Sequence, residues 1–293
     1  MQVFNILLDV VGPVFLVALV GYTWAKRGHP FDAAFVSLLV VGVCTPALII
    51  DTLTTAGLKP AALGVMALGA VLCHLLALGL GWLVIRGLKL PTRVYLPCIA
   101  FANTGNMGIP LALFAFGEKG MGLAIAYFAI GTLANFTIGQ AIAMEGASFG
   151  TLIKMPLIWA VIISIILGAT GIALPSVVAR TVHLIGGITV PLMLISLGVS
   201  IARLKVAKLN RSLLIASVRL LGGYAIGWLV ASMLGLTGIE RGVLIIQSAM
   251  PSAVYNYMFA VRHGNDPEEV AGVVVVSALL SAVLLPIFIV FLI

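Results

Sequence analysis

Polar side chains and helix-breaking residues are concentrated in one short stretch of an otherwise apolar segment, residues 94–116. The stretch, residues 103–110, reads Asn-Thr-Gly-Asn-Met-Gly-Ile-Pro. Its amide and hydroxyl groups can donate and accept hydrogen bonds, and so could bind a ligand. Pro110 and the glycines would interrupt a helix and leave backbone groups unpaired, which is costly in hydrocarbon. The stretch is therefore predicted to be buried in protein or to line a water-filled cavity.

Composition places this stretch inside a membrane. Of the 293 residues, 62% are hydrophobic and 9% are charged, which leaves too little polar surface for a soluble domain of this length. A helix needs about 20 apolar residues to cross a bilayer. We therefore predict an all-α polytopic membrane protein with ten transmembrane helices. The predicted spans cover residues 3–24, 33–53, 61–84, 94–116, 121–144, 152–172, 181–201, 213–236, 242–261 and 270–293.

Lysine and arginine are unequally distributed over the connections between these spans. One side of the membrane collects eleven of the sixteen, namely Lys26, Arg27, Arg86, Lys89, Arg93, Lys154, Arg203, Lys205, Lys208, Arg211 and Arg262. The other side collects Lys59, Lys119, Arg180 and Arg241. Arg219 lies inside span 8, where it is expected to extend toward the interface. The positive-inside rule predicts a multi-pass protein of the inner (plasma) membrane with both termini outside.

The net charge of +7 does not indicate nucleic-acid binding. The basic residues stand at the ends of predicted spans and have no aromatic residues interleaved with them, so the expected partner is the lipid bilayer.

The two halves of the chain match each other at a nearly constant spacing. Pro46 corresponds to Pro191 at an offset of 145 residues, and Gly117 corresponds to Gly264 at an offset of 147. The sequence Gly-Trp-Leu-Val begins at both Gly81 and residue 227, an offset of 146. Each half holds five spans, which is an odd number. We therefore predict two inverted repeats, residues 1–148 and residues 149–293.

The inverted repeat requires a second interruption in span 9. An offset of 147 places residues 103–110 opposite residues 250–257, where Pro251, Ser252 and Asn256 break the apolar pattern. Two interrupted helices at mid-membrane leave half-helix N-termini, which favour an anion, and unwound carbonyls, which favour a cation. The substrate-binding residues expected from both breaks are Asn103, Thr104, Gly105, Asn106, Met107, Gly108, Pro110, Met250, Pro251, Ser252, Tyr255 and Asn256.

Two motifs resemble those of the auxin efflux carrier family, which comprises the plant PIN-type auxin carriers and shorter bacterial relatives regarded as organic-acid permeases. The first is Asn-Thr-x-x-Met-Gly-Ile-Pro at residues 103–110, and the second runs from Ala249-Met250-Pro251 to Phe259-Ala260. The resemblance extends over the whole ten-span layout. It implies that helices 4 and 9 cross at their breaks and hold a substrate carboxylate beside the crossing.

The resemblance also implies how the spans are grouped. Spans 1, 2, 6 and 7 would form a scaffold and the surface of a homodimer, with contacts through spans 2 and 7. Spans 3 to 5 and 8 to 10 would form a moving transport domain, which corresponds to elevator-like alternating access.

Two features differ from the plant carriers. Asn256 takes the place of their second proline in the ninth span, and only residues 145–151 stand where many plant members have a long cytoplasmic loop. Auxin is therefore poorly supported as the substrate, and a small carboxylate is expected instead.

The sequence leaves ion coupling open. His74 lies in the middle of span 3 and Asp51 near the outer end of span 2, and either could take part in coupling. A uniporter and a sodium- or proton-coupled symporter are equally compatible with the sequence. A channel-like or sensory protein is a weaker alternative, because no filter-like motif is present.

Catalytic motifs are absent from the sequence. It contains neither His-Glu-x-x-His nor Gly-x-Ser-x-Gly, so we expect neither an enzyme nor a bound cofactor or metal.

Three hydroxyl side chains are expected to have local structural roles. Thr104 and Ser252 are expected to cap the half-helices. Thr45, in span 2, is expected to bond the backbone of its own helix.

Overall fold

The computed structural model describes residues 2–144 and 155–292, and over these residues it contains helices, turns and short extended segments but no β-strand. The short connection expected at residues 145–151 lies outside the described residues. The helices before this gap are α1 (Gln2–Lys26), α2 (Ala33–Leu39), α3 (Thr45–Thr55), α4 (Pro60–Gly87), α5 (Thr92–Ala100), α6 (Ile109–Ala134) and α7 (Gln140–Met144). Single π-helical turns lie at Val40–Cys44, Thr104–Gly108 and Asn135–Gly139.

The helices after the gap are α8 (Pro156–Thr170), α9 (Ser176–Gly187), α10 (Thr189–Arg203), α11 (Leu209–Met233), α12 (Gly238–Ser248), α13 (Val254–His263) and α14 (Pro267–Val290).

Several of these helical stretches are long and apolar enough to cross a membrane. Within the described chain, six such stretches occur at Ala33–Thr55, Pro60–Gly87, Thr104–Ala143, Ser176–Arg203, Leu209–Met233 and Pro267–Val290. Two shorter apolar helices occupy Val10–Lys26 and Pro156–Thr170. The expected class, an all-helical polytopic membrane protein, is confirmed. The number of ten spans stays a prediction.

The segments predicted as spans 4 and 9 are each divided into short helices. α5 ends at Ala100 and the next helical turn begins at Thr104, while α12 ends at Ser248 and α13 begins at Val254. The expected position of the first break is partly wrong, because residues 104–108 are wound into a π turn. Pro110 lies at the start of α6, directly after this π turn. The helical segment therefore begins at Thr104, and the extended backbone precedes Thr104.

The two extended segments run antiparallel to each other in the interior. The N–H of Asn103 donates to the carbonyl of Pro251 at 2.7 Å, and the N–H of Ala253 donates to the carbonyl of Phe101 at 3.1 Å. Ala102 and Ser252 form an isolated antiparallel bridge between these two bonds. Each break therefore satisfies backbone groups of the other, as buried backbone in a membrane interior requires.

Two glycines end the helices that follow the breaks. Gly117 has φ 65° inside α6 and separates the turns that complete predicted span 4 from those of predicted span 5. Gly264 has φ 66° and caps α13. Both occupy the left-handed region, which glycine adopts without the steric cost of a Cβ atom.

α1 and α10 pack with their backbones in direct contact. A Cβ atom added at Gly21 would collide with the carbonyl oxygen of Ile195, and one at Gly198 would collide with the carbonyl oxygen of Ala18. Small residues at such positions let membrane helices approach closely. This pair of helices borders a buried cluster that includes Val14, Leu194 and, from the two breaks, Met107 and Met250.

Candidate functional site

A cavity of about 380 Å³ lies against the two breaks. The first break contributes residues 103–106 to its wall, and the second contributes residues 253–255. The rim is formed by the start of α2 and the end of α10, where Ala33 and Arg203 are exposed. The breaks therefore lie deep in the molecule, and the cavity is reached from the side that carries Arg203.

Two helix N-termini point at this cavity. Asn103 is the N-cap of the helical turn that leads into α6, and Ala253 is the N-cap of α13. The first N–H groups of a helix have no partner within that helix, and the helix dipole adds partial positive charge there. The bottom of the cavity is consequently suited to an anion.

The backbone of Asn103 is hydrogen-bonded within the break, while its side chain is available to bind a ligand. Besides its N–H bond to Pro251, its carbonyl accepts from the N–H of Gly108 at 3.1 Å. The residue is 6% exposed and lines the cavity. Its amide group makes no hydrogen bond to any residue that the structure describes. The side chain can therefore bind a ligand without giving up a contact that holds the break.

The cavity wall carries one formal charge among the described residues. This is Arg203, whose Nη2 donates to the carbonyl of Phe31 at 2.8 Å and whose guanidinium lies 6.0 Å from the centre of that ring. No carboxylate from the described parts of the chain lines the cavity. The electrostatic field of the wall therefore favours a negatively charged ligand.

Many lining residues were missed by sequence reasoning, among them two buried polar residues with unpaired atoms. Thr45 is 2% exposed and Asn135 is 6% exposed, and neither Thr45 Oγ1 nor Asn135 Oδ1 has a hydrogen-bond partner in the described structure. The expectation that Thr45 bonds its own helix backbone is wrong. The available signal was that each is a polar residue within an apolar span, but nothing in the local sequence shows which way such a residue faces.

His74 lies at the cavity as well. Its Nδ1 is 2.7 Å from the carbonyl oxygen of Ala70, and since a carbonyl can only accept, Nδ1 carries a hydrogen. In the neutral ring Nε2 is therefore an acceptor. A Cβ atom on Gly131, another lining residue, would be 3.0 Å from Nε2, which shows how closely α6 packs on the ring.

Asp51 lies away from the cavity. Its carboxylate pairs with Nδ1 of His183 at 2.9 Å, and the side chain of His183 is 79% exposed. The structure thus joins Asp51 to α9, and Asp51 does not line the cavity.

The other expected binding residues are buried behind the cavity wall. Seven of them do not line it, namely Met107, Gly108, Pro110, Met250, Pro251, Ser252 and Asn256. Asn256 Nδ2 donates to the carbonyls of Pro97 and Phe101, both at 3.1 Å, and to Oγ of Ser252 at 3.0 Å. The expected capping roles are wrong, because the N-caps are Asn103 and Ala253. These residues pack around the two breaks and do not line the cavity.

Arg219 is placed differently from its expected position at the interface. It is 3% exposed, and its guanidinium donates to the carbonyls of Ile99 and Ser248. The side chain therefore points inward to the ends of α5 and α12.

Within the described chain, six stretches are long enough to cross a membrane, and two interrupted segments meet beside a cavity that their helix N-termini face. Such features are typical of a membrane transport protein. The model of a family described as membrane transport protein, the auxin efflux carrier family, matches residues 6–149 and 141–289. The chain belongs to this family, and the resemblance in its motifs is confirmed.

Two curated relatives are similar to this chain over much of its length. One, an uncharacterized transporter of Methanothermobacter thermautotrophicus, is 27% identical over 295 residues, which is 96% of each chain. The other, an uncharacterized transporter of Methanocaldococcus jannaschii, is 30% identical over 193 residues, or 61% of each chain.

Proposed function

We propose that this chain is a secondary transporter of a small organic anion, a carboxylate, that works by elevator-like alternating access. The observation that carries the proposal is the composition of the cavity bottom. Two helix N-termini and the free amide of Asn103 meet there, and the only charge on the described wall is the cation Arg203. A carboxylate would accept hydrogen bonds from these donors, and such charge-assisted bonds are stronger than neutral ones. Since the family consists of transport proteins, an enzymatic activity is not part of the proposal.

The remainder of the wall suits an apolar body on the carboxylate. Among the described residues, five aromatic ones line the cavity, namely Phe101, Phe128, Phe136, Tyr255 and Tyr257. The rings of Phe136 and Tyr255 pack edge to face at 5.7 Å between centroids. A single wall cation and this apolar surface favour a monocarboxylate over a dicarboxylate, whose second charge would be buried without a partner.

The structural basis of the proposed movement is a pair of inverted repeats, residues 1–148 and 149–293. Two features support it: the breaks bond to each other in an antiparallel arrangement, and Gly117 and Gly264 end the following helical turns in the same left-handed conformation. Spans 1, 2, 6 and 7 would be the scaffold, and spans 3 to 5 and 8 to 10 the transport domain.

The test is a comparison of matched ligands. We expect monocarboxylates with apolar bodies to raise the melting temperature of the purified protein, because a ligand that binds only the native state stabilises it. Their uncharged amides, and dicarboxylates of the same length, should raise it less. The stabilising acids should then show saturable counterflow in liposomes. Equal stabilisation by acid and amide would contradict the anion site, and flux that does not saturate would indicate a channel.

Proton-coupled symport is a second candidate, favoured by the position of His74 at the cavity with Nε2 as an acceptor. An inward proton gradient would then drive accumulation of the acid in liposomes. A uniporter would only equilibrate it.

In the cell we propose a location in the inner (plasma) membrane with both termini outside. The side that carries Arg203 would be cytoplasmic, so the cavity would face inward. Cysteine labelling at position 205, expected from the cytoplasmic side only, tests this orientation.

We also propose a homodimer formed through predicted spans 2 and 7. Large apolar side chains are exposed there, with Leu38 74% and Leu184 72% accessible. Light scattering in mild detergent and in nanodiscs should give the mass of two chains, whereas a single-chain mass in both would contradict it.

A further inference from the structure

Arg219 is a buried charge outside the cavity wall. Arg219, in α11, is 3% exposed, and it forms no ion pair with any Asp or Glu side chain in the described parts of the chain. The guanidinium group keeps its proton in proteins. An unpaired cation inside a membrane protein is costly, so its charge must be compensated by other groups.

The compensation comes from two helix ends. Nη1 donates to the carbonyl of Ile99, in the last turn of α5, and Nη2 donates to the carbonyl of Ser248, the last residue of α12. Each helix C-terminus carries roughly half a negative charge, so the two ends together balance about one positive charge. The titratable groups that face the guanidinium, Cys73, His74 and Tyr127, are not anionic at neutral pH.

A glycine makes this arrangement possible. A Cβ atom on Gly223, one turn along α11 from Arg219, would collide with the carbonyl oxygen of Ser248 and would lie 2.5 Å from Nη2 of Arg219. α11 can approach the end of α12 only because residue 223 has no side chain. The contact between the guanidinium and the two carbonyls is thus built into the packing of three helices.

In transporters with interrupted helices, half-helix C-termini and unwound carbonyls coordinate the coupling sodium ion. We infer that in this chain the guanidinium of Arg219 permanently takes the place of that sodium ion between two helix C-termini. Transport would then require no sodium. Arg219 is a positioning residue: it holds the ends of α5 and α12, while α6 and α13 present their N-termini to the ligand. The consequence for transport rests on the proposed function, whereas the consequence for stability does not.

Thermal unfolding of the purified full chain tests the inference. The wild type should melt at the same temperature in sodium chloride and in choline chloride of equal ionic strength. Arg219→Ala should lower the melting temperature by on the order of 10 °C, because it leaves two buried helix ends without their cation. Millimolar guanidinium, compared with the same concentration of urea, should restore part of this loss, and sodium should now stabilise relative to choline. Arg219→Lys, which keeps the charge, should lose less than half as much.

Several results would overturn the inference. The first is a higher melting temperature of the wild type in sodium chloride than in choline chloride. The second is an Arg219→Ala variant with the melting temperature of the wild type. The third is an Arg219→Ala variant whose melting temperature rises with neither guanidinium nor sodium. If Arg219→Ala does not fold, the test rests on the melting temperature of the wild type in the two salts and on the Arg219→Lys variant. A lysine variant that is also unfolded would contradict a role of the charge. Counterflow by the wild type should continue at an unchanged rate in choline. Loss of counterflow in choline alone refutes sodium independence, while its absence in both media contradicts the proposed function.

Discussion

Replacing Asn103 by alanine is expected to weaken the apparent affinity for the transported carboxylate about ten- to a hundred-fold, and so to abolish transport at low substrate concentration. One hydrogen bond to a charged group contributes about 1.5–3 kcal/mol, which corresponds to this range. The melting temperature should remain close to that of the wild type. The two hydrogen bonds that Asn103 makes in the break, to Pro251 and Gly108, belong to its backbone and are kept in the variant.

The matched control is Asn210→Ala. Asn210 is exposed near the start of α11, outside the cavity, so the same change of side chain should leave both affinity and melting temperature unchanged. The measurements are counterflow against substrate concentration and thermal unfolding with and without the carboxylate. If Asn103→Ala transported with wild-type apparent affinity, the crossing would not be the binding site, and the proposed function would have to be abandoned.

Replacing Asn256 by alanine is expected to have the opposite effect, a loss of stability with little change in affinity. The amide of Asn256 ties α13 to the carbonyls of Pro97 and Phe101 and to Oγ of Ser252. These contacts share the two hydrogens of one amide group, and their loss should cost about 2–4 kcal/mol and lower the melting temperature by roughly 5–15 °C. Because Asn256 does not line the cavity, the folded fraction should bind the carboxylate with nearly wild-type affinity.

A second variant separates hydrogen bonding from size. Asn256→Asp preserves the shape of the side chain but places a carboxylate against two carbonyl oxygens, so it should be less stable than Asn256→Ala. If Asn256→Ala melted like the wild type while its ligand affinity fell tenfold or more, Asn256 would be a binding residue. The division of roles between the two asparagines would then be reversed.

The sequence was informative wherever a property is local along the chain. Composition and the length of apolar runs determine that the chain enters a membrane, because the free energy of transfer to lipid sums over neighbouring residues. Glycine and proline likewise mark the two interruptions, since backbone conformation depends mainly on the residue itself. The family could be recognised at the same residues. The exact extent of the first break could not be recognised, because glycine and proline are compatible with a π turn inside a helical segment as well as with a break.

Only the tertiary structure decided which polar groups face the cavity and which hold the helices together. Asn103 and Asn256 are the same residue type near the two breaks, yet their amides differ. The amide of Asn103 lies at the cavity without a hydrogen bond to any described residue, whereas that of Asn256 is bonded to carbonyls 159 and 155 residues away in sequence. Arg219 has the sequence context of a side chain near the interface, but the carbonyls it bonds lie 120 and 29 residues away. The partners of a buried polar group are set by helix packing over such separations, and no local pattern encodes them.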